Sequence, residues 1–284
     1  MAETNAINLP EITDAPVSEA GRILFVGTAT TVIQYGGFTL LTDPNFLHAG
    51  EHAHLGYGLT SERLTNPAIE IDRLPPLDLC LLSHMHGDHW DHVADEKLPR
   101  SLPIVSTKHA AGALKRKGFS RALALGTWDE ATFRKGRSWL RVTAMPGKHG
   151  PGPLQALLPP VMGSLLEWGD GDANPHFRMY ISGDTLIIND LKEIPRRYPD
   201  IDLALLHLGG TRIFGILLTM DADQGIQAVR LIQPADAIPI HYNDYTVFKS
   251  PLADFQRAVE ASDLKTKVHY LSHGETFTFG PPSR

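Results

Sequence analysis

The sequence predicts one α/β domain built on mixed β-sheets. Two observations carry this. Short apolar runs of strand length, such as Leu77–Leu82 (LDLCLL) and Ile201–Leu206, alternate with segments of helical pattern. Histidines and aspartates recur just beyond the ends of those runs, where α/β folds place their chemistry. At 284 residues, with 42% hydrophobic and 20% charged, the chain is long and apolar enough to bury a core.

In chain order, residues 1–20 are polar, acidic and broken by Pro10 and Pro16, which predicts a flexible N-terminal arm ahead of a domain spanning 21–284. Arg22–Val26, Thr31–Tyr35 and Phe38–Leu41 read as strands, the last two joined by a hairpin turn at Gly36-Gly37. Residues 44–70 read as irregular loop. Leu77–Leu82, after Pro75-Pro76, suits a buried strand. Asp91–Leu98 reads as a short helix, Ile104–Ser106 as a strand, and Lys108–Lys117 as a helix stopped by Gly118. Strands at Ala131–Arg134 and Ser138–Ala144 lead into residues 146–163, whose five prolines and four glycines exclude regular structure. Strands Ser164–Trp168 and Phe177–Ser182 follow, then a short helix Leu191–Tyr198 interrupted by Pro195. The apolar run Ile201–Leu206 comes next. Asp221 and Gln224 form a capping-box pattern before a helix at Ala222–Ile232. Ala237–Ile240, Pro251–Ala261, Val268–Leu271 and Thr276–Phe279 close the chain as strand, helix, strand, strand.

Composition excludes several classes. Cys80 is the only cysteine, so a disulfide framework, cysteine zinc fingers and thiolate-held iron–sulfur clusters are ruled out. A net charge of -6 argues against nucleic acid as the partner and leaves a small-molecule substrate. The basic runs at Lys115–Lys117 and Arg134–Arg137 lack interleaved aromatics and read as solvated faces. No apolar stretch reaches a membrane span and the first twenty residues lack a secretory pattern, so a cytoplasmic protein is expected, with homo-oligomerisation left open.

The unusual count is 14 histidines. LLSHMHGDHWDH, residues 81–92, places His84, His86, Asp88 and His89 on one loop after a buried strand. Imidazole and carboxylate together suit zinc and similar divalent ions. Four such groups exceed what one catalytic ion can use while keeping a place for water. Two metals are therefore expected, His84 and His86 on one, Asp88 and His89 on the other. Further ligand candidates stand just past later strands: His149 in AMPGKHG, Asp184 in YISGDT and His241 in IPIHYND.

The motif HMHGDH, with His149, Asp184 and His241 in order behind it, resembles the HxHxDH signature of the metallo-β-lactamase superfamily. GTAT (27–30), LLTDP (40–44), LSHMHGDHWD (82–91), SGDT (182–185) and PIHY (239–242) resemble the branch holding L-ascorbate-6-phosphate lactonase and N-acyl-phosphatidylethanolamine phospholipase D. The resemblance spans roughly residues 22–280. It implies a four-layer αβ/βα sandwich of two mixed sheets flanked by helices. It also implies His84, His86 and His149 on a first metal, Asp88, His89 and His241 on a second, Asp184 bridging, and Asp43 orienting a ligand from behind. The chain departs at Thr28, where that branch carries histidine, and in residues 150–163, so neither named substrate transfers.

The implied cofactors are two divalent ions, Zn2+ foremost, with Mn2+ or Fe2+ as alternatives. A metal-bound hydroxide would attack a small ester or lactone, with Asp88 orienting it. Three readings stand: that hydrolase; a phosphodiesterase for a phospholipid-like, cyclic-nucleotide or RNA substrate; and an iron-dependent enzyme of persulfide dioxygenase type. His207 and Tyr242 are further catalytic candidates, Arg212 a candidate anchor for an anionic group, and Leu157, in the uncharged stretch Pro151–Met162, a candidate wall for an acyl or aryl group.

Overall fold

The computed structural model describes residues 6–10, 20–152, 155 and 157–280. Two sheets face each other. The larger, eight-stranded, runs in spatial order Ile7–Asn8, Glu130–Lys135, Ser138–Met145, Gly163–Asp170, Phe177–Ile181, Leu203–His207, Asp236–Ile240 and Lys267–Val268. The seven-stranded sheet runs Thr276–Phe279, Gly21–Gly27, Thr30–Tyr35, Phe38–Thr42, Leu79–Leu82, Ile104–Thr107 and Ala122–Leu125. Both are mixed: hairpin-connected strands pair antiparallel, while strands returning through helices or long loops pair parallel.

Period-two alternation sends one side of each strand inward. Phe25, Ile33, Leu40, Leu81 and Val105 meet Phe133, Leu140, Leu166, Met179, Leu205 and Ile238 in the core between the sheets. The opposite faces are covered by helices. Ala94 of His92–Lys97 and Ala110 and Leu114 of Lys108–Arg116 pack on Val32, Cys80 and Ile104, so Cys80 is a small core residue as expected. Ile194, Ile226, Val229 and Phe255, from helices Glu193–Arg197, Ala222–Ile232 and Leu252–Glu260, pack on Leu165, Tyr180 and Ala204. The result is the four-layer αβ/βα sandwich. Asp221 caps its helix by accepting from the Gln224 amide at 3.2 Å, but Gln224 turns its side chain to Ile187 instead of closing the capping box.

Several segments differ from the sequence expectation, among them the strand Ala122–Leu125, which is not among the expected strands. Within the expected arm, Ile7–Asn8 pairs parallel with Phe133–Arg134 and Leu9 is buried, because two apolar side chains find the end of the core. Residues 1–5 and 11–19 of the arm lie outside the described residues. The expected loop 44–70 contains an antiparallel hairpin, His52–Gly56 with Leu59–Glu62. A second small hairpin pairs Arg212–Ile213 with Ile216–Leu217.

Candidate metal centre

The strand Leu79–Leu82 delivers its chain directly into His84–His89. Beyond it the backbone tightens, His86 accepting from the amides of His89 (3.1 Å) and Trp90 (2.8 Å). Glycine is required at 87, since a Cβ there would lie 2.5 Å from the His54 amide nitrogen. Gly183 turns Asp184 inward at φ 62°, with room for no Cβ against the Met162 carbonyl. His241 sits at φ 63°, a left-handed conformation costly for histidine. Its amide donates to the Thr28 carbonyl at 2.5 Å and its Nδ1 to the Leu208 carbonyl at 3.1 Å, which hold it there.

Three groups of possible ligands result among the described residues: two on the residues expected to bind metal, and a third, Asp43, His89 and His207, behind them. In the first, His84, His86 and His149 bring one ring nitrogen each within 4.8 Å of one another. His84 Nε2 lies 2.9 Å from His86 Nδ1. Behind them, His84 Nδ1 meets Ser83 Oγ at 3.0 Å and His149 Nδ1 donates to the Leu218 carbonyl at 3.1 Å, which leaves His149 Nε2 facing inward. Burial pushes all three below the usual imidazole range, His86 to about 3; neighbouring rings are the next cause for His84 and His86, whereas for His149 burial outweighs the opposing pull of Asp184 and Asp88. They are neutral at neutral pH, as metal binding requires.

The second cluster is Asp88, His89, Asp184 and His241, with ligand atoms again within 4.8 Å. His241 Nε2 is 3.4 Å from Asp88 Oδ2, and His89 Nε2 is 3.4 Å from Asp184 Oδ2. Thr219 Oγ1 donates to Asp184 Oδ2 at 3.0 Å. Burial opposes ionisation of both carboxyls, but His89 and His241 outweigh it and hold Asp88 and Asp184 below the usual carboxylate range. Burial likewise disfavours a charged His89, and the surrounding carboxylates overcome it and raise its pKa. The pocket thus calls for positive charge. Asp88 Oδ1, His89 Nε2 and Asp184 Oδ1 are buried without a hydrogen-bond partner. Such atoms are expensive inside a protein unless something binds them. Three inward-aimed ligand-type atoms in an anionic pocket fit a bound divalent cation.

Behind this pocket lies Asp43. Its Oδ1 accepts from the Ser83 amide at 2.7 Å, and its Oδ2 lies 3.3 Å from both His89 Nδ1 and His207 Nε2. Asp43 thus lies against His89 Nδ1, which leaves His89 Nε2 on the side of Asp88 and Asp184.

The further candidates fare differently. His207 joins Asp43 and His89 in the third group. Like His84, His89 and His241 it is fully buried; its Nδ1 lies 3.3 Å from Ser182 Oγ, its Nε2 3.3 Å from Asp43 Oδ2, and its ring runs parallel to that of His89, so the structure places it behind His89, beside Asp43. Tyr242, also expected to be catalytic, points the other way. Its hydroxyl donates to the Leu271 carbonyl at 3.0 Å in the core between the sheets, and burial raises its pKa, so the structure places its proton on a core carbonyl and not toward the ligand groups. Arg212 is turned away as well, donating to the Gly215 carbonyl and Asp221 Oδ2, each at 3.2 Å. Leu157 is 54% exposed. Its stretch borders the first cluster, because Gly150 donates to the Leu218 carbonyl that also holds His149, and a Cβ on Gly150 would meet Leu158 and Leu218. Leu154 lies outside the described residues.

Sequence reasoning missed Leu218 and Thr219, which hold His149 and Asp184. A carbonyl and a lone threonine, 69 and 35 positions from their partners, leave no local signal.

The model of the beta-lactamase superfamily domain matches residues 40–242, a span containing all seven cluster residues. The UPF0173 metal-dependent hydrolase of Pelotomaculum thermopropionicum is 32% identical over 70% of this chain and 81% of its own length. The UPF0173 metal-dependent hydrolase of Aeropyrum pernix is 26% identical over 91% of this chain and 97% of its own. Among solved structures, the isothiocyanate hydrolase from Delia radicum gut bacteria superposes with a TM-score of 0.76, covering 92% of this chain and 99% of that one at 22% identity, a likeness of fold. With its family match spanning both clusters, its relatives named metal-dependent hydrolases and its four-layer sandwich, the chain belongs to the metallo-β-lactamase superfamily.

Proposed function

We propose that the chain is a dinuclear metal-dependent hydrolase of a small ester or lactone. His84, His86 and His149 would hold the first divalent ion, Asp88, His89 and His241 the second, and Asp184 would bridge them, with zinc the expected metal and manganese or iron the alternatives. The observation that carries this reading is the set of buried, unpartnered ligand atoms on Asp88, His89 and Asp184, beside three histidines kept neutral. Two divalent ions bound there supply a hydroxide nucleophile at neutral pH and Lewis-acid stabilisation of an oxyanion. The chain supplies the rest. Asp88 Oδ1 is free to orient the attacking water and accept its proton, Thr219 fixes the rotamer of Asp184, and Asp43 fixes the tautomer of His89. The phosphodiesterase reading loses its foremost anchor, because Arg212 is committed to Gly215 and Asp221.

The test compares kcat/KM of zinc- or manganese-loaded protein on a lactone, an aryl phosphodiester of similar size and an aryl isothiocyanate. A carbon electrophile should win by about a hundredfold, or roughly 2.7 kcal/mol. Preference for the phosphodiester, or turnover only with iron and dioxygen, would overturn the proposal.

A further inference from the structure

Two hairpins share one peculiarity. In the hairpin of His52–Gly56 and Leu59–Glu62, the two-residue turn is Tyr57-Gly58, at φ 51° and 74°. In the hairpin of Arg212–Ile213 and Ile216–Leu217, it is Phe214-Gly215, at φ 49° and 80°. Two-residue turns with both φ positive favour Asn, Asp or Gly at the first position, because a bulky side chain there is strained. Both hairpins place an aromatic at that position instead, and both rings stand in solvent, Tyr57 76% and Phe214 91% exposed. Folding gains nothing from either. A local rule broken twice in the same way marks residues kept for something other than stability.

Both hairpins stand on the metal centre. The carbonyl of His54, three residues before Tyr57, accepts from the amide of Gly87, between His86 and Asp88. Thr211, at one foot of the second hairpin, bridges to Phe248, whose ring lies 4.4 Å from that of His241. Leu218 and Thr219, at the other foot, hold His149 and Asp184. Each tip is three residues from such a foot, about 10 Å along a strand. Tyr245 and Phe248 link the two: they cluster with Ala53, Leu55 and Leu59 of the first hairpin, and Phe248 bridges to Thr211 at the foot of the second. Among the described residues, the exposed large apolar side chains are Tyr57, Leu64, Leu157, Phe214 and Ile216. All five lie in or beside these hairpins and the stretch 151–162.

We infer that Tyr57 and Phe214 form an aromatic clamp for the unreacting part of the substrate, which is therefore an alkyl or aryl group attached to the hydrolysed bond. The inference rests on the hydrolase reading and names its substrate class. Continuity with the ligand loops assigns the clamp to substrate, since each tip is carried by residues that position a metal ligand. The clamp acts through apolar contact with the bound group.

The variants Tyr57→Asn and Phe214→Asn put the preferred turn residue in each place, so neither should lower the melting temperature. On zinc-loaded protein, each should reduce the ratio of kcat/KM for p-nitrophenyl octanoate to that for p-nitrophenyl acetate by about tenfold, chiefly through KM. An unchanged ratio overturns the clamp. If the wild-type chain turns over neither ester, the hydrolase reading fails, and calorimetric titration with octanoate and acetate judges the clamp alone: tighter octanoate binding lost in both variants supports it, and equal binding overturns it. Sedimentation velocity and phosphatidylcholine vesicle flotation cover the other occupants. A wild-type dimer, or vesicle binding, abolished by Phe214→Asn with the ester ratio unchanged would assign the tips to a second copy or to a lipid surface and overturn the inference.

Discussion

His84, His86 and His149 meet with no carboxylate among them, whereas Asp88, His89, Asp184 and His241 meet around two, with Asp43 behind as a third. The first group is a neutral pocket, its imidazoles stripped of protons by burial. The second is charged, its carboxylates held ionised by His89 and His241 and its His89 held protonated by them. The same fold thus prepares two groups of candidate ligands by different means. One removes the competing proton in advance, and the other stores negative charge that a cation can claim. On the proposed two-ion reading, unequal affinity and unequal pH response of the two groups are expected.

Asp184→Ala should have the largest effect. Its carboxylate is the proposed bridge between the two ions, and Thr219 donates to it. Metal content should fall below two per chain, and hydrolysis should fall by more than about a hundredfold. Elemental analysis of the purified variant checks this, and two metals at full occupancy would remove the bridging role.

Asp43→Asn separates the clusters. It weakens the acceptor of His89 without touching the His84, His86 and His149 group. The second site should lose about 10- to 100-fold in metal affinity while the first keeps its own. A chelator competition that resolves two affinities reads this directly. Equal weakening of both would mean that the clusters do not differ as described.

The metal-free protein should show the contrast as a pH profile. A histidine whose folded pKa lies below its unfolded value, 6.5, binds its proton only in the unfolded chain as the pH falls. The stability due to the first cluster is therefore present above pH 6.5 and is lost between there and about 3, the folded value for His86. Asp88 and Asp184, with folded values below 3.8, keep their contribution until the pH falls through 3.8 and below. His89 runs the other way: its contribution is complete below 6.5 and declines as the pH rises. The melting temperature of the metal-free chain should therefore fall on acidification from 6.5 to 4, and His86→Ala should flatten that slope. A flat wild-type profile over that interval would contradict the neutral state of the cluster.

How far the sequence reveals this arrangement follows from how local each signal is. The ligands are legible because four of them share one loop and the other three follow strands whose apolar runs stand out. The alternation that builds the two sheets is legible for the same reason. The hairpin at 52–62 was hidden because its turn is Tyr-Gly rather than Asn-Gly and its histidines resemble a polar loop. His207 and Tyr242 sit beside or among ligand-bearing segments, but sequence does not say which way a side chain points at a strand end. His241 adopts a left-handed conformation, and that turn separates it from its neighbour Tyr242.

The smallest expected effect sharpens the edge of the second cluster at that point. Tyr242 is adjacent to His241 in sequence, yet its hydroxyl is spent on the Leu271 carbonyl. Tyr242→Phe removes one buried hydrogen bond and leaves the ring in place, so it should cost about 1 kcal/mol of stability. The carbonyl of Leu271 loses a donor, and nothing in either ligand group changes. Metal content and kcat should match the parent protein, with only the melting temperature moving. A tenfold fall in kcat at unchanged stability would place the phenol in the reaction and extend the second cluster past His241. The hydrogen bond to Leu271 predicts the opposite, because a donor already held by a core carbonyl has no proton to offer a leaving group.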